Sequence, residues 1–280
     1  MKMKRALLVC LASAWLPGWA YADSNAALDQ LFGIFGKIQQ TSKEIPEEEE
    51  TAVGEQYAAL LLGASGLARD ESLQRYVNRV GRWLALQTER PQLAWHFGVL
   101  DSEDINAFAT PGGYVFVTHG LVKQMKSEAE LAGVLAHEIS HVLQRHHLQA
   151  VKKAARMEIG AELLDRLLLE KQGKSEQAKK LVSGIQEVML RGLDKDDEYE
   201  ADRMGMVIAA RAGYDPYGLP AVLQTLQGRN PQDSALALMF QTHPAPDARL
   251  GELERVAADR LDAYSAQEQA AERFLRYRNR

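Results

Sequence analysis

Apolar side chains recur at helical spacing through much of the chain. Residues 70–88 place Leu73, Tyr76, Val77, Val80 and Leu84 on one stripe, the pattern of a helix that buries a single face. Upstream, Pro46 presets φ and Glu47–Glu50 supply four carboxylates to a first turn, where the amide dipoles favour negative charge; a helix is expected from there to about Leu62. From Leu93 the period drops to two. Trp95, Phe97 and Val99 alternate with His96, Gly98 and Leu100, which predicts a strand. Ile105, Ala107 and Ala109 predict a second, Pro111-Gly112-Gly113 a turn, and Tyr114 to Thr118 a third strand of β-branched and aromatic residues. Beyond Gly120 the pattern is helical, with segments near 127–149, 151–170, 175–191, 195–212, 217–227 and 245–263. A short run of strands among many helices, without an internal repeat, predicts one α+β domain over residues 46–263, followed by a charged tail at 264–280.

The first residues follow another logic. Met1 to Arg5 carries three positive charges, Ala6 to Trp15 is almost wholly apolar, and Ala20-Tyr21-Ala22 offers small residues at a cleavage site. Residues 1–22 therefore predict a cleaved secretory signal peptide, and Pro17 and Gly18 interrupt the apolar run short of a membrane span. Residues 23–45, with Leu28, Leu31, Phe32 and Phe35 at helical spacing, are expected to form an N-terminal arm.

Composition narrows the chemistry. The 280 residues carry a net charge of −5 and are 46% hydrophobic, enough to bury a large core. There is no concentrated Lys/Arg block, which argues against nucleic acid as a partner. The one cysteine, Cys10, excludes a disulfide scaffold and leaves with the signal segment, so any bound metal must be held through His, Asp or Glu.

His137-Glu138-Ile139-Ser140-His141 is such a site in the making. It is HExxH within an apolar-periodic helix, where Leu131, Val134, Leu135, Val142 and Leu143 supply the buried surface. A spacing of four is a little over one turn, so both imidazoles leave one face and can bind one zinc ion. Glu138 stands beside them, where it can take a proton from a water on the ion and later deliver it to a leaving amine.

A catalytic zinc needs a third protein ligand, and two candidates present themselves. The first is His147, six residues past His141; reaching the metal would require the helix to break. Gln144 stands where such a turn wants glycine, so the helix is expected to run on, with His146 and His147 facing solvent or acting as cations at its end. The second is Glu198, which shares a helix face with Asp202 at i,i+4; Glu198 could ligate while Asp202 fixes the tautomer of a liganding histidine. Asp197 and Glu200 point elsewhere and read as surface carboxylates. Spacing alone does not choose between the two.

With HEISH, a later EYEAD and NAFATPGGYVFVTHGL in this order, the chain resembles the M48-type gluzincin metallopeptidases over roughly residues 45–255. That class includes bacterial periplasmic proteases acting in outer-membrane protein quality control. The resemblance implies a mainly helical domain with a small β-sheet beside the HExxH helix. It implies one Zn2+ per chain on His137, His141 and Glu198, with Glu138 as catalytic base and Asp202 behind a ligand. It also draws attention to His243-Pro244 with Arg249 downstream: the histidine either takes the fourth zinc position at rest or donates to an oxyanion.

Two further expectations concern substrate. If Tyr114, Val115, Phe116 and Val117 form a sheet edge near the metal, an unfolded polypeptide can add to it as a strand, with Asn106 and Ala107 nearby. Apolar clusters at Leu163, Leu164, Leu167, Leu168 and at Leu181, Val182, Ile185, Met189 suggest amphipathic helices that cover the cleft or dock to an assembly machine or membrane surface. The expected function is an exported, periplasmic zinc endopeptidase acting on unfolded or misassembled envelope proteins. The alternative is a chaperone or adaptor for outer-membrane protein assembly, with a latent, His243-blocked peptidase.

Overall fold

In the computed structural model, residues 45–156, 193–230, 232–257 and 260–279 are described. The signal segment, almost all of the N-terminal arm and both amphipathic clusters of residues 163–189 lie outside them.

Helix α1 (Glu47–Ser65) opens on the acidic run. Helix α2 (Glu71–Ala85) is started by Asp70, whose carboxylate accepts from the Ser72 and Leu73 amides, and it buries the expected stripe from Leu73 to Leu84. Three strands follow: β1 (His96–Leu100), β2 (Ala107–Thr110) and β3 (Tyr114–Thr118). They form one sheet in the order β1-β3-β2. β3 is parallel to β1, with His96 opposite Tyr114, and antiparallel to β2, with Phe108 opposite Phe116.

This order corrects the expected substrate strand. Tyr114, Val115, Phe116 and Val117 lie on the central strand, hydrogen-bonded on both sides, with Val115 and Val117 fully buried; no incoming chain can add there. Among the described residues no strand pairs with the outer edge of β2.

A short α3 (His119–Gln124) leads into α4 (Glu128–Leu143), which carries HExxH. Its start is a capping box: Ser127 Oγ accepts from the Glu130 amide, and the Glu130 carboxylate reaches back to the Lys126 amide. The expected helix over 127–149 is in fact two. α4 ends at Leu143, Arg145 takes a left-handed conformation at φ 57°, and α5 (His146–Arg156) sets off anew.

Helix α6 (Lys195–Arg211) packs along α4. Gly205 makes the approach possible, because a Cβ there would come within 2.9 Å of the His137 amide nitrogen. Helices α7 (Gly218–Gln227), α8 (Ala237–Thr242) and α9 (Pro246–Ala257) close the domain around this pair. The charged tail proves to be part of the core. Helix α10 (Ala271–Arg278) buries Phe274 completely, stacks Tyr277 on Tyr76 at 4.1 Å, and sends Arg273 into a bidentate pair with Glu128 at 2.6 Å. Amphipathic spacing within its charge-rich sequence is what the composition concealed.

Candidate metal centre

His137, Glu138 and His141 project from α4 towards α6, while Leu135, Ile139 and Val142 anchor the helix in the core. The two Nε2 atoms stand 3.0 Å apart. From α6, Glu198 brings Oε1 to 3.4 Å from His141 Nε2 and Oε2 to 3.7 Å from His137 Nε2. From the end of α8, His243 Nε2 lies 4.0 Å from one oxygen each of Glu138 and Glu198. Ligand atoms of His137, His141, Glu198 and His243 all fall within 4.8 Å of one another.

Their hydrogen bonds determine which atoms are free to bind. Asp202 Oδ1 lies 2.9 Å from His137 Nδ1, so Nδ1 carries the proton and Nε2 presents its lone pair. Arg249 grips Asp202 from behind, Nε to Oδ2 at 2.9 Å and Nη2 to Oδ1. Burial pushes the Asp202 carboxyl up, but the Arg249 charge and hydrogen bonds and the His137 contact hold it well below the usual carboxylate range. The Thr242 hydroxyl donates to the Leu238 carbonyl and so accepts from His243 Nδ1 at 2.8 Å, which leaves the His243 Nε2 lone pair facing the cluster. Burial pushes His243 down to about 3, and pushes His141 well down too, with help from the charges of His137 and His146.

Against this set, Glu198 is anomalous. Both of its oxygens are shielded from solvent and neither meets a hydrogen-bond donor. Arg249 Nη1 lies 4.0 Å from Oε2, too far to donate. A buried carboxylate without a hydrogen-bond donor is costly, and converging nitrogen lone pairs add to the cost; a cation at their meeting point relieves both. Two imidazole nitrogens and one carboxylate suit a divalent transition ion with further positions open. The residues present therefore fit a metal. Glu138 is held beside them, its carboxyl pushed up to about 7 chiefly by burial, with Glu198 adding to the rise and His137 opposing it.

Other expectations are corrected. His146 and His147 are not solvent-facing cations: the helix break at Arg145 turns both inward. His146 is 2% exposed, with Nδ1 2.9 Å from His141 Nδ1. His147 lines the same cavity as Glu138, Glu198 and His243, and burial pushes it down to about 3. It does not join the close ligand group. Asp197 and Glu200 stay partly exposed, as expected of surface carboxylates, and each lies 3.7 Å from His146 Nε2. Glu50, read as one of four helix-start charges, is fully buried between Arg90 and Arg145. Only the consecutive pair His146-His147 hinted at this second layer, because the break that aims it depends on a partner far away in sequence.

Two histidines one turn apart on one helix and a glutamate from a later helix define the gluzincin arrangement. Residues 69–257 match the family model described as Peptidase family M48, and the chain belongs to that family. It is 30% identical over 261 residues to the beta-barrel assembly-enhancing protease of Escherichia coli (strain K12), covering 90% of this chain and 52% of that protein. The protein of that name from Yersinia pestis is 32% identical over 212 residues, 73% of this chain and 43% of its own length. The mitochondrial metalloendopeptidase OMA1 of Arabidopsis thaliana is 29% identical over 181 residues, 64% of this chain and 35% of its own length. The chain thus spans about half the length of the assembly-enhancing proteases it matches. Among the described residues, no helix is long and apolar enough to cross a membrane.

Proposed function

We propose that this chain is an exported, periplasmic zinc endopeptidase that cuts unfolded or misassembled envelope polypeptides. One Zn2+ would be held by His137, His141 and Glu198. The observation that carries this reading is Glu198, whose two donorless oxygens face the lone pairs of both HExxH histidines. When bound, the ion supplies Lewis-acid polarisation of a peptide carbonyl and of water.

The chain's own residues supply the rest. Glu138 takes a proton from the attacking water and returns it to the leaving amine, a double duty for which its place in the cavity beside Glu198 and His243 suits it. Asp202, fixed by Arg249, keeps the His137 proton on Nδ1. The outer edge of β2 takes the substrate role first expected of β3: Ala107, Phe108 and Ala109 line the cavity that holds Glu138, Glu198 and His243. Asn106 beside them has a buried Oδ1 without a partner. An extended chain paired there through backbone hydrogen bonds presents its carbonyls with little demand on sequence, which fits unfolded substrates. The names of the relatives support a link to outer-membrane protein assembly.

The test is Glu138→Gln. Purified variant should keep one zinc per chain, measured by elemental analysis, and lose about 10²–10⁴-fold in cleavage of an unfolded test protein. Undiminished cleavage ends the mechanism. A resting, latent form is favoured by the His243 Nε2 lone pair at 4.0 Å from Glu198. His243→Ala should then raise basal cleavage; if His243 instead donates to an oxyanion, cleavage falls.

A further inference from the structure

The metal-site reading leaves His141 with an unexplained neighbour. The His141 and His146 Nδ1 atoms are 2.9 Å apart, a distance at which they share a single proton. A neutral imidazole that ligates through Nε2 carries its proton on Nδ1, so His141 donates and His146 accepts. The His146 proton is thereby assigned to Nε2, which has Asp197 Oδ1 and Glu200 Oε2 each at 3.7 Å, an electrostatic contact longer than a hydrogen bond.

We infer that His146 is the positioning residue for the metal ligand His141, its own tautomer set by Asp197 and Glu200. This inference rests on the zinc-site reading above. It makes the two ligand histidines counterparts: Asp202 orients His137, and His146 orients His141. Helix α6 serves both, since Glu198, Asp202, Asp197 and Glu200 all come from it.

The geometry depends on one turn. Residues five apart on a continuous helix do not share a face, so an unbroken α4 would carry His146 away from His141. Arg145 prevents this by adopting φ 57°, a conformation that costs a non-glycine residue about 1 kcal/mol or more. Its side chain is pinned there by Glu50, at 2.9 Å from Nε, and the buried Glu50 is itself held by Arg90 at 2.9 Å. The start of α1 thus fixes the turn that aims His146.

The experiment compares full-length wild type, His146→Leu and His146→Asn. Zinc affinity is measured by chelator competition, and the Co2+-loaded proteins by visible absorption, neither of which needs substrate. Leucine should lower affinity about 10–100-fold and shift the Co2+ spectrum. Asparagine, whose amide oxygen replaces the Nδ1 acceptor, should recover most of the affinity. Equal losses in both variants, or wild-type affinity and spectrum in the leucine variant, overturn the inference. Should the leucine variant not fold, an Asp197→Asn, Glu200→Gln double variant at two partly exposed positions carries the test. A severalfold loss of affinity there supports the relay, and none overturns it. A wild type that binds no zinc removes the underlying metal site; tight wild-type binding matched by His146→Leu removes this inference alone.

Discussion

Two buried glutamates bracket the HExxH helix and have opposite surroundings. Glu128, in the first turn of α4, accepts hydrogen bonds from the Tyr76 and Tyr214 hydroxyls and from both arms of Arg273. Glu198, against the middle of the same helix, accepts none. Burial alone would raise Glu128, but Arg273 and the two tyrosines hold it below its ordinary value. The first carboxylate is satisfied by protein and ties α2, α4, α10 and the segment at Tyr214 together. The second accepts no hydrogen bond from the chain; Arg249 Nη1 stands off at 4.0 Å, and its other close neighbours are the candidate ligands. Burial and charge are common to both; the distinction between a structural and a functional carboxylate lies in its partners.

The largest expected effect separates them by metal. Glu198→Gln should lower zinc affinity by more than about a hundredfold, since it removes a ligand rather than an outer partner. The metal-free fold should change little in stability, because the substitution removes a buried charge that accepts no hydrogen bond and faces Arg249 only at 4.0 Å. Denaturation in chelator together with zinc titration reads both. A variant that keeps zinc while losing stability would put Glu198 in the same class as Glu128.

Next comes the reverse experiment. Glu128→Gln breaks the bidentate pair with the partly exposed Arg273, which keeps Glu268 at 3.1 Å, and weakens the hold on both tyrosines, at a cost of about 1.5–3 kcal/mol in unfolding free energy. The folded fraction should still bind one zinc. Loss of zinc at unchanged stability would instead make Glu128 part of the site.

What the sequence disclosed follows the same line between local and distant causes. His137, Glu138 and His141 were legible because one helical turn brings them together; i,i+4 spacing put Glu198 and Asp202 on one face, but only the resemblance to the M48-type gluzincins preferred Glu198 to His147. The strands and the main helices were legible from period. The break at Arg145 was not, because nothing near it disfavours helix; the left-handed turn goes with an ion pair to Glu50 on another helix. His146 was misread as a surface group for that reason. Strand order was likewise hidden: β2 and β3 both look like strands, and only the pairing shows that β3 is central. The tail was misread because charged Arg273 and Arg276 mask the apolar Phe274 and Leu275 between them.

Chelation gives a more general contrast. A metal that binds only the folded chain stabilises it by mass action, by about 4 kcal/mol when free zinc is a thousand times its dissociation constant. Adding chelator should lower the wild-type Tm by roughly 10 °C, and that of Glu198→Gln by no more than about a third as much. A shift of equal size in both would show that the stabilising ion sits elsewhere.

The smallest effect concerns pH and sets Glu138 beside Glu128, because the two shift in opposite directions. Glu138 is raised from 4.5 to about 7, chiefly by burial. In the metal-free protein its carboxyl therefore stays protonated while the unfolded chain ionises, so its contribution to stability is complete below about pH 4.5 and is lost as pH rises to about 7. Glu128, held low, works the other way: its contribution is present above its unfolded value and is lost as pH falls through the folded one. Metal-free wild type should accordingly lose stability relative to Glu138→Gln between pH 4.5 and 7, by about 3 kcal/mol at most, and the difference should be level above that range. Relative to Glu128→Gln, wild type should lose its advantage only in acid. Urea titrations at four or five pH values in chelator measure both differences. A gap between wild type and Glu138→Gln that widens in favour of wild type as pH rises would mean that Glu138 in the metal-free protein is already ionised and partnered, as Glu128 is.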